Sequence, residues 1–318
     1  YNVFKPVENK SEHKKFMGFP ENAFIIGTVM RNQSRKLFDD LICSFDQFMD
    51  RVSPELRQRS YLYLHTGYPD LGWQIPRLIK ESRYSHKIVV SYHCVPHFDK
   101  PDESCGALYP SIFYGGRVQC RSCGSRTAVM PGTQTGVERE GLAAIINCFD
   151  IYVQYAIAEG FGMPQLEAAA CGVPVAAVDY SAMADVVRKL EGFPIRVERF
   201  TREPQTHLYR ALPDNEHLIE TLIDYANLDD EFKLLKSSRT AELARERYQW
   251  ETTAKVWMDI FQSLPELPQT RKWKTAPADI FYPNVPSPLP NYPEEVFVTW
   301  AITNIARRPE LVHSYIFH

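Results

Sequence analysis

The segment Glu159-Gly-Phe-Gly-Met-Pro-Gln-Leu-Glu167 has the residue types and spacing of a ligand site. Gly160 and Gly162 let the backbone approach a ligand closely, and the proline suits the first turn of a helix, whose free N–H groups attract an anion. One glutamate precedes this helix and the other lies a turn inside it. Carboxylates accept hydrogen bonds from the vicinal hydroxyls of a sugar. The segment therefore predicts a site for a phosphate and a sugar, in which Glu167 could hold a ribose and Glu159 a second sugar.

A simpler interpretation needs no ligand. The same residues also describe a helix whose acidic first turn stabilises its own dipole. A Gly-x-Gly turn alone does not decide between the two interpretations.

Four of the seven cysteines indicate a metal site. Cys120 and Cys123 have the spacing of a zinc knuckle, and Cys94 and Cys105 precede them; a glycine follows both Cys105 and Cys123. Four thiolates form a closed tetrahedral zinc site, so we predict a structural zinc that folds its segment and does no chemistry. His97 is a rival ligand in a Cys94-x-x-His97 knuckle. Free thiols or a redox pair are the alternatives to a metal.

The surrounding chain must position these residues. From about residue 24 to 264, short apolar runs alternate with amphipathic stretches, a pattern that predicts βα units around a parallel sheet. The predicted strands are 24–29, 61–64, 87–91, 151–155 and 173–178. A helix is predicted over 37–49, with Asp39, Asp40 and Asp46 facing water.

Two segments depart from this alternation. Residues 92–136 accumulate Cys, Gly, Pro and His and are too long for an ordinary βα loop, so they predict an insertion with its own structure. Residues 265–318 begin with a proline-rich stretch and predict an extended linker followed by a helix over 294–305. The predicted domains are thus a lobe over 1–264, the Cys-rich insertion within it, and the 265–318 extension.

The string Glu-Gly-Phe-Gly-Met-Pro-x-x-Glu-Ala-x-Ala-Cys-Gly-Val-Pro-Val, which begins at Glu159, resembles the signature of retaining GT-B glycosyltransferases. These enzymes form the large family that contains sucrose synthases and bacterial mannosyl- and glucosyltransferases. The resemblance implies the C-terminal, donor-binding lobe of a GT-B fold, a Rossmann-like doubly wound parallel sheet. It also implies a nucleotide-diphosphate sugar as donor, with Glu167 on the ribose and Glu159 on the donor sugar. The other substrate-binding residues that it implies are Gly160, Phe161, Gly162 and Met163.

A second element of the resemblance lies after the first strand. The family carries an Arg five residues before a Lys at this place, and Arg31 and Lys36 have that spacing. Cations there stabilise the negative charge that the leaving nucleoside diphosphate gains, which implies catalytic roles for Arg31, Lys36 and Glu159. The alternative is two solvated charges at a helix start; Arg35 is a competing cation that we expect to face solvent. Because the sequence has no Asp-x-Asp motif, we predict chemistry without a catalytic metal.

The resemblance covers about residues 1–264, as the second half of such an enzyme. Residues 4–6 resemble the hinge that follows the acceptor-binding lobe, and we expect that N-terminal lobe to be absent from this chain. Sugar transfer with retention would then need an upstream segment or a partner chain. The acceptor, expected to be a sugar, a lipid or a polysaccharide, and the catalytic base are not identified by the sequence.

Composition narrows the function classes. With 36 Lys+Arg against 39 Asp+Glu and a net charge of -3, the chain lacks the basic field of a nucleic-acid coat. It has no apolar run of the roughly 20 residues that span a bilayer and no apolar signal segment, so we predict a cytoplasmic protein without a transmembrane segment.

Two other functions are compatible with these motifs. One is a catalytically silent nucleotide-sugar-binding or scaffold module, in which the zinc insertion contacts a partner. The other is a zinc-ribbon nucleic-acid binder that uses Arg117, Arg121 and Arg126 beside Tyr114. The acidic net charge disfavours the second.

Overall fold

The computed structural model describes residues 3–95, 104–132, 135–204 and 206–265 of the 318-residue chain. The α-helices are α1 (Lys10–Phe16), α2 (Phe38–Arg51), α3 (Pro54–Arg59), α4 (Ile75–Glu81), α5 (Arg139–Ile146), α6 (Met163–Ala170), α7 (Ser181–Lys189), α8 (Asn215–Asn227), α9 (Asp230–Arg247) and α10 (Trp250–Ser263). The strands are β1 (Phe24–Val29), β2 (Ser60–His65), β3 (Ile88–Cys94), β4 (Leu108–Ile112), β5 (Arg117–Val118), β6 (Ala128–Val129), β7 (Ile151–Gln154), β8 (Val175–Val178), β9 (Phe193–Ile195), β10 (Val197–Arg202) and β11 (Tyr209–Pro213). Among these residues, no helix combines the length and the apolar character needed to cross a membrane.

The central sheet is mainly parallel. Its parallel strands run in the order β3-β2-β1-β7-β8-β9, so β1 lies between β2 and β7. This is the order of a doubly wound fold, in which the chain turns in opposite directions from the middle of the sheet. The predicted Rossmann-like α/β fold is confirmed. A crevice for ligands is expected at the carboxyl ends of β1 and β7, where the winding reverses.

Burial explains why β1 occupies the centre. All six of its residues are buried, as a strand covered on both faces requires. Gly27 lies against Phe149, and a Cβ atom at this glycine would come within 2.2 Å of the Phe149 ring. A larger residue at position 27 would therefore push the strand away from the segment that leads into β7.

The predicted elements match the observed ones closely, with one error in α2. Asp46 is buried, and it accepts hydrogen bonds from the Ser82 hydroxyl at 2.6 Å and from the Arg83 N–H at 3.0 Å. The prediction that Asp46 faces water was wrong because the turn after α4 covers this part of the helix and supplies donors.

The insertion adds antiparallel strands to the sheet edge. β4 and β6 both pair antiparallel with β3, and β5 pairs with β6. The strand before the insertion extends as far as Cys94, so the first predicted metal ligand is the last residue of β3.

The chain divides into two compact units between Trp257 and Met258, within α10. The first unit contains the whole sheet. The described part of the second is the end of α10. The predicted linker and the helix over 294–305 lie outside the described residues, and the predicted domain limits stay a prediction.

Candidate active site

The loops that follow β1 and β7 are joined at the carboxyl edge of the sheet. The Leu37 N–H donates to the Tyr155 carbonyl at 3.1 Å, and the Ile157 N–H donates to the Arg35 carbonyl at 3.0 Å. Between them, Lys36 and Ala156 form an isolated antiparallel bridge. This pairing brings residues that are about 120 positions apart in the sequence to the reversal point of the sheet.

Glu159 is the centre of the resulting cluster. Its side chain is 10% exposed and forms an ion pair through Oε1 with Lys36 Nζ. Gln154 Nε2 donates to the same oxygen at 3.0 Å, and Arg35 Nη2 donates to Oε2 at 3.2 Å. The Glu159 N–H donates to Ser181 Oγ at 3.0 Å. Two cations and an amide thus hold this carboxylate in one position.

Lys36 is the buried cation of the cluster. Its side chain is 4% exposed, whereas that of Arg35 is 43% exposed. Burial, together with the neighbouring charge of Arg35, lowers the pKa of Lys36 to about 7. The Glu159 carboxylate in contact with it favours the ammonium form. Arg35 was expected to face solvent. Its side chain is partly exposed, and it also forms an ion pair with Glu159.

Helix α6 begins directly after this cluster. Gly162 precedes it with a φ of +80°, in the left-handed region that glycine adopts without strain. Gln165 Nε2 donates back to the Phe161 carbonyl at 2.8 Å, which fixes the turn. Phe161 and Met163 are 45% and 49% exposed, so their side chains lie at the surface beside the start of the helix. Pro164 has no N–H and the Gln165 N–H donates to the Gly162 carbonyl at 3.1 Å, so it is the positive end of the helix dipole that attracts an anion there.

Glu167 lies on α6 and is half-buried. Burial raises its pKa, and the charge of Arg139 partly opposes this shift. Among the described residues, none donates a hydrogen bond to its carboxylate. A desolvated carboxylate without a donor is suited to accept hydrogen bonds from ligand hydroxyls.

Arg31 has a partner outside the Glu159 cluster. Its Nε and Nη2 atoms donate to Asp70 Oδ2 and Oδ1 at 3.0 and 3.1 Å. Asp70 belongs to the loop that follows β2, the strand beside β1. The Arg31 side chain is 47% exposed, so it can still reach an anionic ligand from this bidentate pair.

Asn32 joins the same two loops. Its amide Nδ2 donates to the Trp73 carbonyl at 2.8 Å, and the Trp73 N–H donates to Asn32 Oδ1 at 2.7 Å. The sequence analysis missed both Asp70 and Asn32. The available signal was that each follows a strand of the parallel sheet, because carboxyl ends of neighbouring parallel strands meet at one edge.

The four predicted metal ligands come together in the insertion. The sulfur atoms of Cys94, Cys105, Cys120 and Cys123 all lie within 4.8 Å of one another. The Cys94–Cys123 and Cys105–Cys120 sulfur pairs are each separated by 3.7 Å, which is too long for a disulfide. His97, the rival ligand, lies outside the described residues.

This arrangement fits a tetrahedral zinc ion. Zn–S bonds of about 2.3 Å place tetrahedral sulfur ligands about 3.8 Å apart. The Cys105 N–H donates to Cys94 Sγ at 3.4 Å, and the Ser122 N–H donates to Cys120 Sγ at 3.3 Å, as the second shell of a thiolate site does. The glycines after Cys105 and Cys123 have φ values of +67° and +78°, so each permits the tight turn expected of a knuckle.

Comparison with known proteins supports the motif assignment. Residues 134–201, which include Glu159 and Glu167, match the family model of "Glycosyl transferases group 1". The predicted resemblance to these enzymes is confirmed. No curated protein sequence matches the chain.

Solved structures share the fold at low sequence identity. Sucrose-phosphate synthase from Thermosynechococcus elongatus has a TM-score of 0.53 and 16% identity, over 83% of this chain and 51% of that one. WaaG, a glycosyltransferase involved in lipopolysaccharide biosynthesis, has a TM-score of 0.53 and 14% identity, over 83% of this chain and 55% of that one. HepE from Anabaena, in complex with UDP-glucose, has a TM-score of 0.53 and 15% identity, over 83% of this chain and 55% of that one.

These likenesses show a lobe of the GT-B fold. This chain spans about half the length of these three solved structures.

Proposed function

We propose that this chain is the donor-binding lobe of a retaining glycosyltransferase, which transfers a hexose from a nucleoside-diphosphate sugar without a catalytic metal. The observation that carries the proposal is the buried Lys36–Glu159 pair at the reversal point of the sheet, beside the start of α6. One ligand can there contact a cation, a carboxylate and the positive end of a helix dipole. The structures of HepE with UDP and UDP-glucose support a nucleotide sugar as that ligand.

In this proposal each residue has a distinct role. The diphosphate lies against the backbone of Gly160, Phe161, Gly162 and Met163, and Lys36 and Arg31 stabilise its growing negative charge as the glycosidic bond breaks. Glu159 orients the donor sugar and Glu167 accepts hydrogen bonds from the ribose. The acceptor oxygen bonds to the anomeric carbon, the electron pair of the broken bond leaves with the diphosphate, and the acceptor proton passes to the departing phosphate oxygen.

The absence of an Asp-x-Asp motif from the sequence supports cationic side chains, in place of a metal ion, as the diphosphate ligands. We propose retention of the anomeric configuration because the signature resembles that of retaining enzymes. The acceptor, which we take to be a sugar, a lipid or a polysaccharide, would be presented by a second lobe or a partner chain.

The cysteine cluster completes the proposal with a structural zinc. Four thiolates leave no open coordination position, so the ion would hold the insertion together without taking part in transfer. Thiolate metal ligands of this kind persist in a reducing compartment, which supports a cytoplasmic location. The acidic net charge supports a function without nucleic acid.

Calorimetric titration of the chain with UDP, GDP, ADP and their sugar conjugates tests the proposal. We expect one nucleotide to bind selectively, and Arg31→Ala and Glu167→Ala each to weaken it about tenfold, because each removes a charge-assisted hydrogen bond. Arg77→Ala is the control, since Arg77 is an exposed arginine on α4 whose ion-pair partner is Glu81. Absence of binding by the folded protein would contradict the proposal and favour a scaffold module that has lost its ligand.

Glu167→Gln should raise the stability of the ligand-free protein and weaken its binding of the nucleotide. Because burial raises the pKa of Glu167 in the folded state, the folded protein binds more protons here than the unfolded protein, and stability falls as the pH rises through the folded-state pKa. At pH 7 the neutral glutamine removes this cost, so we expect a higher melting temperature in the absence of ligand. The same substitution should weaken nucleotide binding.

Thermal unfolding at pH 5 and pH 7 measures the effect. The gain in melting temperature from Glu167→Gln should be larger at pH 7 than at pH 5. An equal or smaller gain at pH 7 would show that the Glu167 carboxylate is not destabilised by burial.

A further inference from the structure

A cavity with aromatic walls lies in the Cys-rich insertion. Its volume is about 350 Å³, within the range of small-molecule sites in proteins. Three tyrosines line it, Tyr92 of β3, Tyr109 of β4 and Tyr114, together with Ser111 and Arg121. None of its lining residues is among those that the proposed function assigns to the donor.

The fold holds the tyrosine rings in place. Tyr92 and Tyr109 are partners in the β3–β4 register, and their rings stack with centroids 6.1 Å apart. The Tyr92 hydroxyl donates to the Gly115 carbonyl at 2.8 Å and accepts from the Tyr114 N–H at 3.1 Å, which ties the turn of Tyr114 to β3. Tyr92 is buried, whereas Tyr114 is 63% exposed, so the Tyr114 ring keeps surface for a ligand.

Arg121 is the cation of this cavity. Its Nη2 atom donates to the hydroxyl of the buried Ser111 at 2.7 Å. Its guanidinium carbon lies 5.7 Å from the centroid of the Tyr109 ring and 6.0 Å from that of Tyr114, within the roughly 6 Å range of cation–π contacts. Arg121 also lies inside the Cys-x-x-Cys knuckle, so its backbone is held by the cysteine cluster. The guanidinium is therefore positioned before any ligand arrives.

The charge of this arginine is not neutralised by a carboxylate of the described residues. Residues 104–132 contain three arginines and neither Asp nor Glu, and no described carboxylate elsewhere forms an ion pair with Arg121. A guanidinium has five N–H donors, and the bond to Ser111 uses one of them. The others can bind a carboxylate or a phosphate in bidentate geometry.

A sugar that carries an acid group matches both parts of the lining. The negative face of a tyrosine ring attracts the polarised C–H groups of a sugar ring, while the guanidinium pairs with the acid. A single cavity of this volume suits one ring, whereas a nucleic-acid strand requires a basic groove along its backbone. The chemistry of the lining therefore favours an acidic sugar.

The insertion reaches the edge of the sheet at which the donor site lies. Cys94 is the last residue of β3, and β3 is parallel to β2 and β1, so their carboxyl ends share this edge. The Pro131 carbonyl packs against Gly67 in the loop after β2, where a Cβ atom would come within 2.6 Å of it. The same loop supplies Asp70 to Arg31. A ligand on the insertion is thus held at the same edge as the donor.

We propose that this cavity binds an acidic sugar of the acceptor, a sugar that carries a carboxylate or a phosphate. Arg121 binds the acid group, and the sugar ring stacks on Tyr114. The inference names a substrate class for the proposed transferase and so rests on that function. The insertion then selects an acidic glycan as the acceptor.

Calorimetry and saturation-transfer NMR on the full chain test the proposal. The acidic probes are glucuronic acid, galacturonic acid, glucose 6-phosphate and mannose 6-phosphate, which distinguish a carboxylate from a phosphate. Glucose, galactose and mannose are the neutral counterparts, and inorganic phosphate is the acid without a ring. We expect at least one acidic sugar to bind at least about tenfold more tightly than its neutral counterpart and than inorganic phosphate.

Substitutions in the cavity assign this affinity to its residues. Arg121→Gln should weaken binding of the acidic sugar about tenfold. Tyr114→Ala should weaken it about 3- to 10-fold, and Tyr114→Phe should keep it within about twofold, because the ring supplies the contact. Arg126→Gln is the matched control, since Arg126 is an exposed arginine of the same insertion that does not line the cavity. Zinc content and nucleotide affinity should be unchanged in all four variants.

The outcomes separate this site from the donor site. If no acidic sugar binds, or if Arg121→Gln binds like Arg126→Gln, the proposed site is rejected even when a nucleotide binds. Equal affinity for acidic and neutral sugars would reject the role of the guanidinium, and equal affinity for inorganic phosphate would reject the ring contact. If acidic sugars bind and no nucleotide does, it is the donor site that fails, and the assignment to an acceptor fails with it.

Discussion

Lys36→Met is expected to lower the free energy of unfolding by about 3 kcal/mol, because removing one partner of a buried ion pair leaves the other charge without compensation. Glu159 keeps Gln154 and the partly exposed Arg35, so the loss should fall at the lower end of the usual range. The same substitution should weaken binding of the preferred nucleoside diphosphate at least about tenfold, since a charged donor to the phosphates is lost. Denaturant unfolding and calorimetry measure the two effects.

A double-mutant cycle distinguishes a binding role from a structural one. Replacing both partners, as Lys36→Met with Glu159→Gln, removes the uncompensated charge and should restore most of the lost stability. Nucleotide affinity should stay low, because neither neutral side chain replaces the ammonium. Recovery of affinity along with stability would mean that Lys36 acts only by holding the loop.

Arg35→Ala is the matched comparison for Lys36. Both cations contact Glu159, but the Arg35 side chain is 43% exposed and that of Lys36 is 4% exposed. Solvent screens an exposed pair, so we expect Arg35→Ala to change stability much less than Lys36→Met. Equal losses would show that the burial of Lys36 does not determine the strength of its pairing.

Local sequence signals predicted the parts of this site that depend on local structure. Strand β1 has the predicted limits, and the glycine-rich segment leads into α6 as predicted, with Gly162 in the left-handed region. The fold followed from the alternation of strands and helices, because hydrophobic periodicity is set by neighbouring residues. Glu159 and Glu167 were found for the same reason, since both lie in one short segment.

Contacts between distant loops were not predictable in this way. Asp70 accepts hydrogen bonds from Arg31 because β1 and β2 lie side by side. Asp46 is buried because the turn after α4 covers it. The short strands β5 and β6 have two residues each, too few to show a period. The contact of β11 with the loop of Glu159, through the Ala211 N–H and the Ile157 carbonyl, likewise joins parts of the chain that are distant in the sequence.

Removing one ligand of the cysteine cluster is expected to have the second large effect. In Cys120→Ser the bound zinc should fall from about one per chain to nearly none, because a closed tetrahedral site needs all four thiolates for tight binding. Zinc binding to sites of this type contributes about 10 kcal/mol or more to folding of the bound segment. The loss should therefore unfold the insertion.

Proteolysis and metal analysis together show whether the effect stays local. Cleavage should concentrate between residues 92 and 136, because the strands β5 and β6 have two residues each and pair with the sheet at its edge, through β6 and β3. The parallel strands β1, β7 and β8 form a buried core of their own, so nucleotide binding should survive.

Cys43→Ser provides the matched control for this prediction. Cys43 is an exposed free cysteine on α2, outside the cluster, and its substitution should change neither zinc content nor cleavage. A protein that carries no zinc and resists cleavage would contradict the structural role, since four cysteine sulfurs this close together would then hold their positions by packing alone. Loss of zinc with global unfolding would instead mean that the edge strands support the whole sheet, and that the insertion is part of the core.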